Sequence, residues 1–475
     1  MRRILVLAAA LLALLAVAQP AHAGGPAMRI GAAEDIVKQA TLVEARAKLT
    51  LAQLAGLDTI RVTAIWTPGQ VTLHADERDR FRNLNTAASL AGIRVVVSVY
   101  HFGSRTTPLT AEQRTEFARF TAGIAQEFPS FRDVIVGNEP NLNRFWLPQF
   151  GPAGENVAAP AYLELLAATY DALKQVSPRI TVWGGALAPR GIDRPGSGRD
   201  THSPTKFIRD MGVAYRASRR TIPVMDGFAF HPYCDNSSQA PRDCAHPATT
   251  AIGIADYDKL VRLLGEAFDG TAQKGSTLPL LYDEFGVETV IPAPKAALYT
   301  GNEPTTIRPV DEATQAAFYR EALAMSFCQP NVRGILLFHV VDETERPSWQ
   351  SGLYYLDGTR KASVAAVRRA AAESRRGVVA RCEGMQLTPK ATLKRVAPFT
   401  AAVRCDIDCS GTLWVERVPS GARVRTVAVA QTGGTTVRHR FAKLRRGRYV
   451  LRLSVRAPVN PGPAHQRRGA AFSVR

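Results

Sequence analysis

Beyond its first 18 residues the chain has no apolar run long enough to cross a bilayer, no CxxC pair, no GxGxxG after its first candidate strand, and no internal repeat or low-complexity run. Each absence removes a class. The first excludes a multi-span membrane protein, the second a cysteine zinc knuckle or thiol redox motif, the third a dinucleotide fold, the fourth a solenoid. Aromatics are also sparse at 8%. What is present is a chain of 475 residues, 46% hydrophobic, with 60 Lys and Arg against 41 Asp and Glu. That apolar fraction supports a packed core and rules out disorder. The length admits two or three domains.

Met1-Arg2-Arg3 precedes an unbroken apolar stretch from Ile4 to Ala18, followed by Gln19-Pro20-Ala21-His22-Ala23. The stretch is shorter than the roughly 20 residues a spanning helix needs, and Ala21-x-Ala23 supplies the small residues of a cleavage site. Residues 1–23 therefore read as a signal peptide, which predicts a secreted or extracellular protein, in one version wall-associated, with no transmembrane segment after cleavage. In that compartment six cysteines predict disulfides. Six allow 15 connectivities; proximity suggests Cys234 with Cys244, Cys405 with Cys409, and Cys328 with Cys382.

From Met28 to about residue 370, eight apolar, β-branched runs alternate with amphipathic stretches: MRIGAAED, TIRVTAIW, RVVVSVYHF, DVIVGNEPN, ITVWGGALAP, VMDGFAFHPY, PLLYDEFGVE and GILLFHVVDE. Continuous apolar strands separated by helices such as PAYLELLAATYDALKQV predict parallel strands covered on both faces. Eight units predict an α/β fold, a (β/α)8 TIM barrel, over residues 24–380. After Arg375-Arg376-Gly377 the period falls to two. In RYVLRLSVR, Tyr449, Leu451, Leu453 and Val455 alternate with residues suited to a wet face. With TLWVERV, VRTVAVA, TVRHRFAKL and AAFSVR this predicts a small all-β, immunoglobulin-like sandwich over residues 381–475.

In such a barrel chemistry sits where strands end at the C-terminal face. The fourth run closes on Asn138-Glu139-Pro140 and the seventh on Asp283-Glu284-Phe285. Strands four and seven face each other across the mouth, so two carboxyls can approach to about 5.5 Å. A pair at that spacing can cleave a glycosidic bond, one protonating the departing oxygen while the other attacks the anomeric carbon. On these residues the chain resembles the clan A glycoside hydrolases, retaining enzymes with an Asn-Glu at the end of strand four and a nucleophilic Glu at the end of strand seven. The resemblance spans roughly residues 28–370. It implies that Glu139 is acid/base, Glu284 nucleophile, and that Asn138 binds a sugar hydroxyl. His231-Pro232-Tyr233 is similar to the family's His-x-Tyr, Arg61 to its strand-two Arg, and His101 to its strand-three His. One departure stands out: Leu337-Phe338-His339 replaces the Trp that commonly closes strand eight, leaving Phe338 or Trp349 as the sugar platform. Trp146 is the other aromatic expected to stack on sugar.

Strict strand alternation turns Asp283 away from Glu284, as a structural residue, and turns Asn138 away when Glu139 faces in. The resulting expectation is a secreted retaining glycosidase acting on a carbohydrate, with no metal, no cofactor and no nucleic acid partner. The alternative is a non-catalytic carbohydrate-binding or cell-envelope protein on the same barrel. A metal-dependent hydrolase needs a His-x-His at the first strand, and MRIGAAED has none.

The net charge of +19 is unevenly placed. From Glu383 to Arg475 there are 18 Lys and Arg against 4 Asp and Glu, a net of +14, whereas residues 24–382 are nearly balanced. The sandwich is thus the part expected to meet an anionic cell-envelope polymer.

Overall fold

The computed structural model describes residues 24–475; the expected signal peptide, residues 1–23, lies outside the described residues. All eight predicted runs become strands of one closed parallel barrel: β1 (Arg29–Ala33), β2 (Thr59–Trp66), β3 (Arg94–His101), β4 (Asp133–Val136), β5 (Thr181–Leu187), β6 (Gly227–Phe230), β7 (Leu280–Phe285) and β8 (Val332–Phe338). β8 returns to pair with β1 over Arg29↔Gly334 to Ala33↔Phe338. The ring is covered by helices α1 (Leu42–Leu54), α2 (Ala75–Ala91), α3 (Ala111–Glu127), α4 (Ala158–Val176), α5 (Pro204–Ala217), α6 (Tyr257–Phe268), α7 (Glu312–Cys328) and α8 (Ser363–Arg375). Their starts are written locally. Thr110 and Gln113 form a reciprocal capping box at α3, and Ser203 caps α5 with Pro204 in its first turn.

Two apolar layers hold the barrel. The larger lies between strands and helices and includes Leu84, Phe117, Leu166, Phe207 and Leu323. A separate buried cluster of Val96, Ile135, Trp183, Ala229, Leu281 and Leu336 fills the ring itself, as the inward-facing residues of such a barrel should. No helix among the described residues is long and apolar enough to cross a membrane.

The C-terminal part is built of two antiparallel sheets. One has the order β13 (Thr436–Arg440), β10 (Thr400–Cys405), β9 (Ala391–Ala397). The other runs β12 (Arg423–Gln431), β11 (Cys409–Val418), β14 (Gly447–Arg456), β15 (His465–Arg468), with β16 (Phe472–Val474) also on β14. Ala401, Val403, Leu413, Val415, Leu451 and Leu453 meet between them. Three strands escape the sequence pattern, β9, β10 and β15. β9 reads ATLKRVA and is exposed along most of its length, so its apolar alternation is lost among charged residues. On the outer face of the larger sheet, register places Thr426, Trp414, Arg452 and Arg468 in one cross-strand row, and the Arg423 guanidinium lies 4.2 Å over the Trp414 ring.

The cysteines pair as 234–244, 328–382 and 405–409, with none free. The second joins the end of α7 to the segment leading into the sandwich, closing a loop worth about 4 kcal/mol in chain entropy. Around it Arg376 pairs with Asp408 at 2.7 Å, and the Asn460 side chain accepts from the Cys382 amide and donates to the Ala380 carbonyl. Beside this junction Gly24 donates its backbone N–H to the carbonyl of Val332, the first residue of β8.

Candidate active site

At the C-terminal ends of the strands the loops leave a cleft of about 1520 Å³. Its floor is set by how β4 ends. After Val136 the backbone turns through Gly137 (φ 89°) and Glu139 (φ 41°), both in the left-handed region. A Cβ at Gly137 would lie 2.9 Å from the Tyr162 ring, so that position requires glycine. The Glu139 amide donates to the Ala186 carbonyl, and Ala186 is itself at φ 48°. Because of this bend Asn138 and Glu139 both line the cleft, and the alternation that would have turned Asn138 away does not apply. A non-glycine residue held at positive φ costs on the order of 1 kcal/mol or more and persists only where its surroundings fix it.

Glu284 stands opposite, 9% exposed. Its Oε1 accepts from Arg61 Nη1 and its Oε2 from the Tyr233 hydroxyl at 3.0 Å. Arg61, buried in β2, also donates through Nη2 to Asn138 Oδ1 at 2.9 Å and Ser98 Oγ at 3.1 Å. One guanidinium therefore fixes residues from strands three, four and seven. Burial works against its charge, but Glu284 and Asp283 outweigh this and raise its pKa.

His231, wholly buried after β6, connects the two sides. Its Nδ1 lies 2.9 Å from Glu139 Oε1 and its Nε2 lies 3.3 Å from Asp283 Oδ2. Both ring nitrogens face carboxylate oxygens, which a neutral imidazole with one N–H cannot satisfy. Burial disfavours the charged ring, yet Glu284 and Asp283 prevail and raise its pKa to about 10. His231 is thus an imidazolium at neutral pH. Asp283 corrects an expectation: it does not point away as a bystander. Burial pushes its carboxyl up, but His231 and Arg61 more than reverse this and hold it ionised. The alternation argument failed because β7 breaks register with β8 between Tyr282 and Phe285.

The aromatic wall comes from β6 and the loop after β8. Tyr233 stacks on Trp349 at 4.8 Å and 29°, and Phe338 stands edge-on to both, at 6.4 Å and 5.4 Å. Trp349 is pinned by its loop: its amide donates to Glu343 Oε2, and the next amide, Gln350, donates to Glu288. The Tyr233 hydroxyl is raised well above its usual range by burial and by the Glu284 and Glu139 carboxylates, so it remains a donor.

Two expected residues lie elsewhere. Trp146, assigned to sugar stacking from its loop position, is 1% exposed and packs edge-on against His101 and Tyr162 in the core. His101 lies behind the cleft with its Nδ1 on the Gly103 carbonyl, and burial lowers its pKa to about 4, so it is neutral. Its neighbour Tyr100 lines the cleft instead. Residues the sequence reading passed over are Glu34, closing β1, and Glu288. Glu34 accepts from the Val340 and Val341 amides and so ties the loop after β8 to β1; burial raises its carboxyl. Glu34 ends its strand as Glu139 and Glu284 nearly do, a clue available in MRIGAAED.

Donor atoms of Glu139, His231 and Glu284 lie within 4.8 Å of one another, close enough to surround a cation. His231 Nδ1 is already engaged with Glu139 Oε1 at 2.9 Å. What the arrangement presents is two carboxylates across a cleft beside an aromatic wall.

No family model and no curated protein matches the chain. Among solved structures it is similar to a family 39 glycoside hydrolase from Bacteroides cellulosilyticus WH2, with a TM-score of 0.52 and 16% identity over 86% of this chain and 80% of that one. A monomeric β-xylosidase from Caulobacter crescentus aligns at 0.47 with 15% identity, covering 89% of this chain and 95% of that one. The barrel belongs to the class of (β/α)8 folds with an active-site face at the strand ends. Within that class, the chain shares its barrel fold with the family 39 glycoside hydrolase.

Proposed function

We propose that the protein is a secreted retaining glycoside hydrolase in which Glu284 is the nucleophile and Glu139 the acid/base. The observation that carries this is the approach of the Glu139 and Glu284 carboxylate oxygens to within 4.8 Å. Retaining pairs sit about 5–5.5 Å apart, whereas inverting pairs need roughly 6.5–9.5 Å to admit a water. The surroundings divide the roles. Both Glu284 oxygens accept hydrogen bonds, from Arg61 and Tyr233, which hold the carboxylate in place. Glu139 gives one oxygen to His231, and its other oxygen accepts no hydrogen bond among the described residues.

In the first step a Glu284 oxygen bonds to the anomeric carbon as the glycosidic C–O bond breaks, and Glu139 delivers its proton to the departing oxygen. In the second, water attacks the same carbon, Glu139 takes the water's proton, and the Glu284 carboxylate leaves. Tyr233, Trp349 and Phe338 supply the surface for the sugar face. The three disulfides support an oxidising, extracellular location. The basic outer faces of the residue 381–475 sandwich support an anionic envelope polymer as its partner, which salt-sensitive binding of the intact protein would check.

The test is a panel of aryl β-glycosides. Turnover should release product with retained configuration, a slow 2-fluoro glycoside should label Glu284, and Glu284→Ala should abolish turnover. An inverted first product, or undiminished turnover by Glu284→Ala, overturns the assignment. Glycan binding with no turnover by the native protein would place it among non-catalytic sugar-binding proteins instead.

A further inference from the structure

The charged residues lining the cleft are not all accounted for by one another. On the side of β1, β7 and β8 four of the acids lining the cleft are occupied, while Glu345 there is exposed. Glu34 takes the Val340 and Val341 amides, Glu288 the Gln350 amide, Glu343 the Trp349 amide, and Asp342 a buried salt bridge with Lys361 at 2.7 Å. On the opposite side, in the loops after β4 and β5, the cleft is lined by Arg144, Arg190 and Arg199. Arg190 pairs with Asp235 at 2.6 Å. Arg144 and Arg199 are exposed and form no ion pair among the described residues; Arg144 rests 5.4 Å from the Phe145 ring.

These two arginines are brought together by the fold. An antiparallel bridge joins Leu142 to Thr201, two residues from each arginine, and Asn141 locks it, accepting the Ala188 amide and donating to the Ala188 and His202 carbonyls. Two like charges thus sit on loops joined by this bridge, lining the same cleft as Glu139. Such a pair is repulsive alone and is relieved by an anion between the guanidiniums.

We infer that this rim is a subsite for a negatively charged leaving group: the sugar released by cleavage carries a carboxylate, as in a uronic acid, or a sulfate ester. The inference rests on the glycosidase reading, because Glu139 as proton donor marks this side as the leaving-group side. The aromatic wall lies across from it on β6 and β8, leaving the neutral glycone to stack there. Arg144 and Arg199 are specificity residues here, with no part in bond breaking.

The probes are 3-carboxyphenyl and 3-sulfophenyl β-glycosides, each compared with the 3-(methoxycarbonyl)phenyl β-glycoside of the same sugar, over gluco, xylo, manno and galacto series. At low salt the charged probes should exceed the ester roughly five- to twentyfold in kcat/KM, and the preference should shrink as salt rises. In Arg144→Gln/Arg199→Gln the charged-to-ester ratio should fall to near one, whereas Arg144→Lys/Arg199→Lys should keep a preference. A preference for carboxylate over sulfonate points to a uronic acid, and the reverse to a sulfated sugar. Turnover without charge preference, or a preference surviving the double Gln variant, overturns the subsite and leaves the glycosidase reading standing. If no probe turns over, calorimetric titration of the native protein decides. Charge-dependent binding lost in the double Gln variant keeps the subsite and removes the glycosidase reading; charge-independent binding or none removes the subsite as well.

Discussion

Replacing His231 by Gln tests the electrostatics of the site most directly. The imidazolium is buried between Glu139 Oε1 at 2.9 Å and Asp283 Oδ2 at 3.3 Å, with Glu284 Oε2 at 3.4 Å and the Arg61 guanidinium on the far side of Asp283. In the unfolded chain the ring loses its proton near 6.5, and in the folded protein near 10. The sign follows: folding retains the proton across that window, so the contribution is fully present below pH 6.5 and drains away as pH rises to about 10. At 1.36 kcal/mol per pH unit the loss amounts to roughly 4 kcal/mol. Urea unfolding of native protein and His231→Gln at pH 6, 7, 8, 9 and 10 reads it. Lysines and tyrosines elsewhere titrate alike in both and cancel in the difference. The stability gap between them should be widest at pH 6 and narrow by about 4 kcal/mol by pH 10. A gap that stays constant across the series would refute the claim that His231 carries a positive charge held by these carboxylates.

Glu288 has the same sign over a lower window. Burial raises its carboxyl to about 8, so the folded protein keeps a proton the unfolded chain has shed from about pH 4.5 upward, and stability falls through that window. Glu288→Gln, which resembles the protonated acid, should raise the unfolding free energy at pH 8.5 by on the order of 2 kcal/mol and change it little near pH 4.5, read by urea unfolding; equal shifts at both would contradict it. Trp349→Ala removes one face of the aromatic wall and should raise KM about tenfold, whereas Trp146→Phe should lower Tm and leave KM unmoved, since Trp146 is 1% exposed. A KM effect confined to Trp146 would reverse those two placements.

The barrel was legible because its strands are buried on both faces and read as continuous apolar runs, a pattern no amphipathic helix produces. Glu139 and Glu284 were legible because strand ends at one face are few, Arg61, His231 and Tyr233 only through the family resemblance, and all five converge within hydrogen-bond reach. What failed depended on backbone geometry that residue types do not encode. Asn138 enters the cleft through two left-handed residues, Asp283 reaches His231 and Arg61 beneath it where β7 shifts register, and Trp146 leaves the surface because its loop folds back onto Tyr162. The pairing Leu142↔Thr201, which brings two arginines together across 55 residues of chain, has no local signature at all.

The junction around Cys328 and Cys382 has a directional consequence. Gly24 meets the start of β8, and Arg376 at the end of α8 meets Asp408 of the sandwich. Both ends of the barrel chain therefore leave from its foot, the face remote from Glu139 and Glu284. A support that grips the sandwich, whether a charged resin or a wall polymer, orients every molecule the same way, mouth outward.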